Sequence, residues 1–248
     1  MQFARVMGIG RNEADDSFMI LIFLKLHSMK YRIKNLILFL ALGVFLFICL
    51  ERAEASDDGQ YWNEFILKHS VTPQLETHLK LEQRFVDDFG DFGLHNYAPG
   101  ILYKVTQYFD FELNYKFERE KGEKEWTNEH RLEIIPILKG RWGGFGFKLK
   151  NRLEYRDIEG DESWRLREKI IIARTVNVNG STFKPYFSEE IFYDFRVGDF
   201  NQNRIAAGIL KKINRNLEVG LYYLYKTSKK KSDWSGANIL GTEFVISF

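Results

Sequence analysis

The sequence predicts an all-β fold: one transmembrane, antiparallel, up-and-down β-barrel of about 10–12 strands, preceded by a cleaved signal peptide. Three observations lead there. Apolar and polar residues alternate with a period of two through most of the chain. Aromatic residues reach 16% beside 28% charged residues and only four prolines, a mixture that suits a sheet facing lipid on one side and water on the other. An apolar run near the N-terminus stops at a signal-peptidase sequence, and no later run approaches the roughly 20 apolar residues of a membrane-spanning helix.

From Met29 the chain reads as a secretory signal. Lys30, Arg32 and Lys34 form its basic start, Leu36 to Leu50 is almost wholly apolar, and Ala53 and Ala55 supply small residues at the two positions the peptidase reads. Cleavage after Ala55 assigns 29–55 to the signal and 56–248 to the barrel. Residues 1–28 have no consistent role and fit an upstream start codon chosen in error. Glu51 and Arg52 end the apolar run too early for a spanning helix. The single cysteine, Cys49, falls inside the signal, so the mature chain has no thiol for disulfide, metal or nucleophile chemistry. Bulky Ile48 before it argues against lipid attachment.

Eleven strands are expected, at 61–71, 75–86, 95–105, 108–119, 128–138, 145–156, 164–175, 182–194, 203–212, 217–227 and 237–248, each near the ~10 residues of a tilted crossing. Leu75 to Glu82 alternates without a break. From Phe109 to Glu118 every odd residue is apolar and every even one polar, a pattern a helix would scatter around its cylinder. Lys148, Lys150, Arg152 and Glu154 share one face opposite Phe147, Leu149 and Leu153. Charges on the apolar phase at Glu168, Glu189 and Lys211 predict bulges or strand ends. An odd count leaves the first strand parallel to the last, against the even number usual in bacterial barrels.

Short turns at 72–74, 106–107, 140–144, 177–181 and 213–216 are expected to alternate with longer polar loops at 87–94, 120–127, 157–163, 195–202 and 228–236, as in outer-membrane barrels. Trp62, Tyr97, Tyr108, Trp126, Trp142, Trp164, Tyr225 and Trp234 are placed as two interfacial girdles. At the C-terminus, Phe248, Ile246 and Phe244 form an amphipathic strand with a terminal aromatic, which looks like the signal read by barrel-assembly machinery.

The strand phases put Glu82, Arg84, Asp110, Glu112, Glu118, Arg131, Glu133, Lys148, Lys150, Arg152, Glu154, Arg165, Arg167, Glu190 and Arg204 on the inward face. Acidic residues prevail on the fourth strand and basic ones on the sixth and seventh. Separate sectors of unlike charge would set a field across a narrow, porin-like passage for small polar or anionic solutes. A closed barrel filled by its own ion pairs is the alternative. On parity alone Glu112→Arg is expected to be tolerated for folding, unlike Phe111→Arg or Leu113→Arg.

Catalysis is not expected. Small outer-membrane lipid hydrolases use a serine, a histidine and a carboxylate, yet no spacing ties Ser188 to His69, His78, His95 or His130. No cofactor or metal is expected either: Asp157, Glu159, Asp161 and Glu162 lack the full pattern of a calcium loop. Near-balanced charge, +2 overall, excludes a nucleic-acid binder. The expected partners are outer-membrane lipid and lipopolysaccharide, and the assembly machinery during biogenesis. Oligomeric state is not set by the sequence.

Several segments together resemble a family of bacterial proteins catalogued as domain of unknown function 2490. They are Leu81 to Phe85, His130 to Glu133, Asn151 to Arg156, Trp164 to Arg167, Lys184-Pro185-Tyr186 with Ser188 to Phe192, and Asn201 to Arg204. The resemblance covers nearly all of the mature chain. It implies an outer-membrane barrel and no established activity.

Overall fold

A computed structural model describes residues 58–122, 124–230 and 233–248, with Lys230 by its backbone alone. The signal segment 29–55, with Ala53, Ala55 and Cys49, and residues 1–28 lie outside the described residues.

One twelve-stranded sheet contains β1 (Asp58–Ser70), β2 (Leu75–Val86), β3 (Asp91–Lys104), β4 (Phe109–Lys121), β5 (Trp126–Trp142), β6 (Phe145–Ile158), β7 (Asp161–Ala173), β8 (Val176–Val178), β9 (Ser181–Asp194), β10 (Asp199–Lys212), β11 (Leu217–Lys230) and β12 (Asp233–Ser247). Neighbours pair antiparallel until β12 meets β1 in parallel, from Asp58↔Ala237 to Lys68↔Ser247, and closes the cylinder. Short β8 continues β7 along β9 in one register, since Ala173 faces Tyr186 and Val176 faces Phe183. The ladder lapses between them at Pro185, which has no N–H to donate. The barrel therefore has eleven staves, and the odd count is accommodated by a parallel seam.

Following the residue pairing once around the wall returns to β1 displaced by about 14 residues. With normal strand spacing that shear means a tilt of about 40° and a wall radius of roughly 11 Å. A bore of this width can be filled by long side chains.

Alternation decides which residues face it. On β4 the even residues Asp110 to Glu118 are buried while Phe111 and Tyr115 are exposed on the outside. Phe65, Ile101, Leu132, Leu149, Ile170, Leu221 and Leu240 extend the same exposed apolar surface around the wall. Polarity is thus reversed relative to a soluble protein: charge inside, hydrocarbon outside.

Among the described residues the long loops expected at one end are absent. Connections there shrink to 87–90, 122–125, 159–160 and 195–198, no longer than those at the other end. The strands run on into the polar segments as hairpins, such as Ile158↔Asp161 and Ser228↔Ser235. Where both faces meet water, alternation vanishes although pairing continues. Bulges sit at Arg84/Phe85 and Phe200/Gln202, not at Glu168, Glu189 or Lys211. Glu168 and Glu189 occupy regular ladder positions on the outer face, where Glu189 accepts a hydrogen bond from Asn203 Nδ2 at 3.1 Å, while Lys211 does lie at a strand end, one residue before β10 stops. Trp62 is not a girdle residue: it is 3% exposed and points inward. Trp142 and Trp164 do lie exposed on the outside, near strand ends.

Arginine placed in the apolar band, at Leu113 or Leu221, is expected to lower folding stability in lipid vesicles by about 2–4 kcal/mol. Urea titration of vesicle-inserted protein measures this. Unchanged midpoints for both variants would mean that the outer face does not contact hydrocarbon.

Candidate functional site

The inward side chains of β2 to β9 form a continuous lattice of ion pairs. Glu112 on β4 accepts from Lys80 on β2 at 2.6 Å, from Lys150 on β6 at 3.1 Å and from Asn114 Nδ2 at 3.0 Å. Glu118 pairs with Lys116 at 2.7 Å and Arg131 at 3.2 Å. Arg131 also meets Glu129 at 2.6 Å, and Arg156 grips Glu129 with two donors at 2.6 and 2.8 Å. Glu133 receives Arg152 at 3.3 Å, Asp110 receives Lys139 at 2.5 Å, and Glu82 receives Arg84 at 2.8 Å.

Glu154 is the most enclosed acid of the lattice, with no exposed surface. Arg165 Nε and Arg167 Nη1 donate to its two oxygens at 2.6 and 2.8 Å. Arg152 and Arg131 stand at 3.7 and 3.8 Å. Arg167 turns its other donors on Glu190 at 2.7 and 3.0 Å. Charge-assisted bonds of this kind satisfy buried ions that would otherwise be costly.

The separate acidic and basic sectors expected from the sequence do not exist. Strands β4 and β6 flank β5, so long lysines reach across it and cancel the carboxylates, as Lys150 does at Glu112. Of the five residues read as a basic wall, Lys150, Arg152, Arg165 and Arg167 are each bound to a carboxylate. Lys148 makes no ion pair among the described residues and is exposed. Arg204 lies between two rings, 5.0 Å from the centre of Trp62 and 4.8 Å from that of Phe192.

The remaining arc of wall, β10 to β12 with β1, is lined by Ala206, Leu224, Ala237 and Ile239 packed around Trp62, with Tyr222 against them. Gly208 and Gly241 matter here: a Cβ at Gly241 would overlap the ring of Tyr222, and one at Gly208 the ring of Tyr186 and the Cβ of Tyr222. Gly100 likewise leaves room for His78, whose Nε2 is 2.8 Å from Asn114 Oδ1. Trp62, Phe192, Tyr186 and Tyr222 were missed by a reading that followed charge. The signal was present, since glycine inside a strand marks close approach of another group.

Three of the four described histidines are engaged: His78 with Asn114, His130 Nδ1 with the Tyr115 hydroxyl at 2.6 Å, and His95 stacked on Phe92, while His69 lies exposed near the end of β1. Ser188 is buried, and no serine hydroxyl bonds a histidine ring among the described residues. The acids of the 157–162 segment brace turns. Asp157 accepts from Gly160 N, Glu159 from Asn128 N, and Asp161 pairs with Arg196. At the C-terminus, Phe244 stacks on Phe65 across the seam with centroids 4.9 Å apart, Ile246 faces Leu67, and Phe248 N donates to Lys68 O at 3.0 Å.

A closed sheet that is apolar outside and ionic inside pairs its strands all the way round without a free edge, and it defines an outer-membrane β-barrel. The chain belongs to the family described as Protein of unknown function (DUF2490), whose model matches residues 59–236. Among solved structures it is similar to a bacterial polysaccharide outer membrane secretin, with 10% sequence identity and a TM-score of 0.47. That alignment covers 70% of this chain and 64% of the other, so the chain spans less than two thirds of that protein's length. Comparison with curated proteins gives no match.

Glu154→Gln leaves Arg165 and Arg167 short of a buried counter-charge and is expected to cost about 3–5 kcal/mol. Glu112→Arg, tolerable on parity alone, sets a third cation between Lys80 and Lys150 and is expected to destabilise comparably. Urea midpoints in vesicles decide the matter. Values within about 0.5 kcal/mol of the parent, the range of ordinary surface substitutions, would show that the lattice is dispensable.

Proposed function

We propose that this chain crosses the bacterial outer membrane as a non-catalytic barrel whose lumen is closed at the waist by fixed ion pairs, and that it holds anionic groups of small solutes instead of conducting them freely. The observation that carries the reading is the enclosure of the lumen wall. Glu154, Asn114, Glu133 and Arg131 have 0%, 1%, 2% and 3% of their surface exposed, whereas side chains lining a water-filled channel stay hydrated. Tyr186 and Tyr222 lie across the small-residue arc and narrow what remains.

The proposal includes delivery by a signal cleaved after Ala55, recognition of the Phe248 end by the assembly machinery, and contact of the outer face with lipid and lipopolysaccharide. Engagement of His78, His130 and His95 by Asn114, Tyr115 and Phe92 supports the non-catalytic role. A narrow anion passage is the second reading, favoured by Lys148, exposed at the end of its strand beside the 143–144 turn.

Planar-bilayer recording of the purified protein is expected to give no steady open level. Combined Glu154→Ala and Arg167→Ala, which empty part of the bore, are expected to produce one. A stable, anion-selective open level from the parent protein would replace the closed reading with the passage.

A further inference from the structure

The ion-pair lattice does not extend to the cations gathered around one indole. Three cations surround Trp62: the Arg84 guanidinium carbon is 3.9 Å from the ring centre, that of Arg204 5.0 Å, and Lys226 Nζ 5.9 Å. They come from β2, β10 and β11, and converge because β1 lies between β2 and β12 at the seam. Only Arg84 has an acid, Glu82. Among the described residues neither Arg204 nor Lys226 has a carboxylate within 4.0 Å. The amide oxygen of Gln202, once its side chain is turned, accepts from Arg204 Nη2 and Nε at 2.9 and 2.7 Å, but a neutral acceptor cancels no charge.

Like charges this close repel strongly away from bulk water, and cation–π contact offsets only part of that cost. Trp62 and Phe192 are 3% and 0% exposed, so the cluster has an apolar floor rather than a hydrated one. The neighbouring Arg167, also over Phe192 at 4.4 Å, is already committed to Glu154 and Glu190. Within this cluster Arg204 and Lys226 are the two cations without a carboxylate partner.

We infer that Arg204 and Lys226, with Arg84 and the Trp62 face, form a lumenal site for the anionic group of a small solute, a phosphate or a carboxylate. Arginine offers planar donors to an oxyanion and lysine a point charge. A phosphate and the carboxylate of a sugar acid present the same oxyanion chemistry to these donors. The inference rests on the reading of a closed lumen that holds anions and supplies its residues.

Calorimetric titration of the purified protein in detergent tests it, with inorganic phosphate, a hexuronic acid and a neutral hexose as probes. Saturable binding of at least one anion and none of the neutral hexose is expected. Phosphate alone assigns a free oxyanion, and hexuronate alone a sugar acid. Combined Arg204→Gln and Lys226→Gln are expected to weaken binding at least tenfold without lowering the melting temperature, because they relieve repulsion. Arg167→Gln, by contrast, is expected to lower it. Absence of saturable binding by either anion, unchanged affinity in the double variant, or a melting loss like that of Arg167→Gln would overturn the assignment. Bilayer recording of the same preparation keeps the two ideas apart: silence without binding removes the holding of anions and leaves the closed waist, and a steady open level with binding removes the closed waist and leaves the site.

Discussion

The structure depends on one constraint: a barrel of this bore brings the charged side chains of β2 to β9 into a shared, water-poor space, where each must find a partner. Glu154 shows how it is met. A carboxylate with no exposed surface is acceptable because Arg165 and Arg167 from the next strand bond both its oxygens and Arg131 and Arg152 stand within 4 Å. Removing either sign from such a lattice strands the other, so the pairs specify stave order as well as stability. Lys80 and Lys150 reach Glu112 from two strands away on either side and so tie β2, β4 and β6 together across the inner wall.

The seam answers a different requirement. Parallel closure gives up the antiparallel ladder at one joint, and the side chains there compensate. Phe65 stacks on Phe244 outside, and the Tyr61 hydroxyl meets Thr242 Oγ1 at 2.7 Å while Thr242 donates to Asn63 at 3.1 Å. Inside, Trp62 fills the space beside Ala237 and Ile239. The same indole gathers Arg84, Arg204 and Lys226, so the joint that closes the barrel is also where its charge is least balanced.

Much of this was legible in the sequence, for a physical reason. Period-two alternation placed all eleven staves and gave the inward face of β4 residue by residue, because lipid and lumen impose opposite polarity on successive side chains. Three things were not legible. Hairpins beyond the apolar band lose their alternation, so polar strand ends such as those around Asp161 and Asp199 read as loops. Parity says that Lys150 and Glu112 share a face but not that they touch, since lysine spans an intervening strand. Trp62 carries the composition of a girdle residue and the parity of Glu64, and only the parity was informative.

The central claim is that the waist is packed and dry. Residues 56–248 contain no cysteine, so a single thiol introduced at a chosen depth reports access directly. Ser188→Cys puts one on the buried inner wall, and Lys148→Cys puts one at an exposed inward position near a strand end. In vesicles containing the folded protein, a small, charged, water-soluble thiol reagent is expected to label the Lys148→Cys variant rapidly. The same reagent is expected to leave the Ser188→Cys variant unmodified until the barrel is unfolded. Equal labelling of both variants in the folded state would contradict a closed waist.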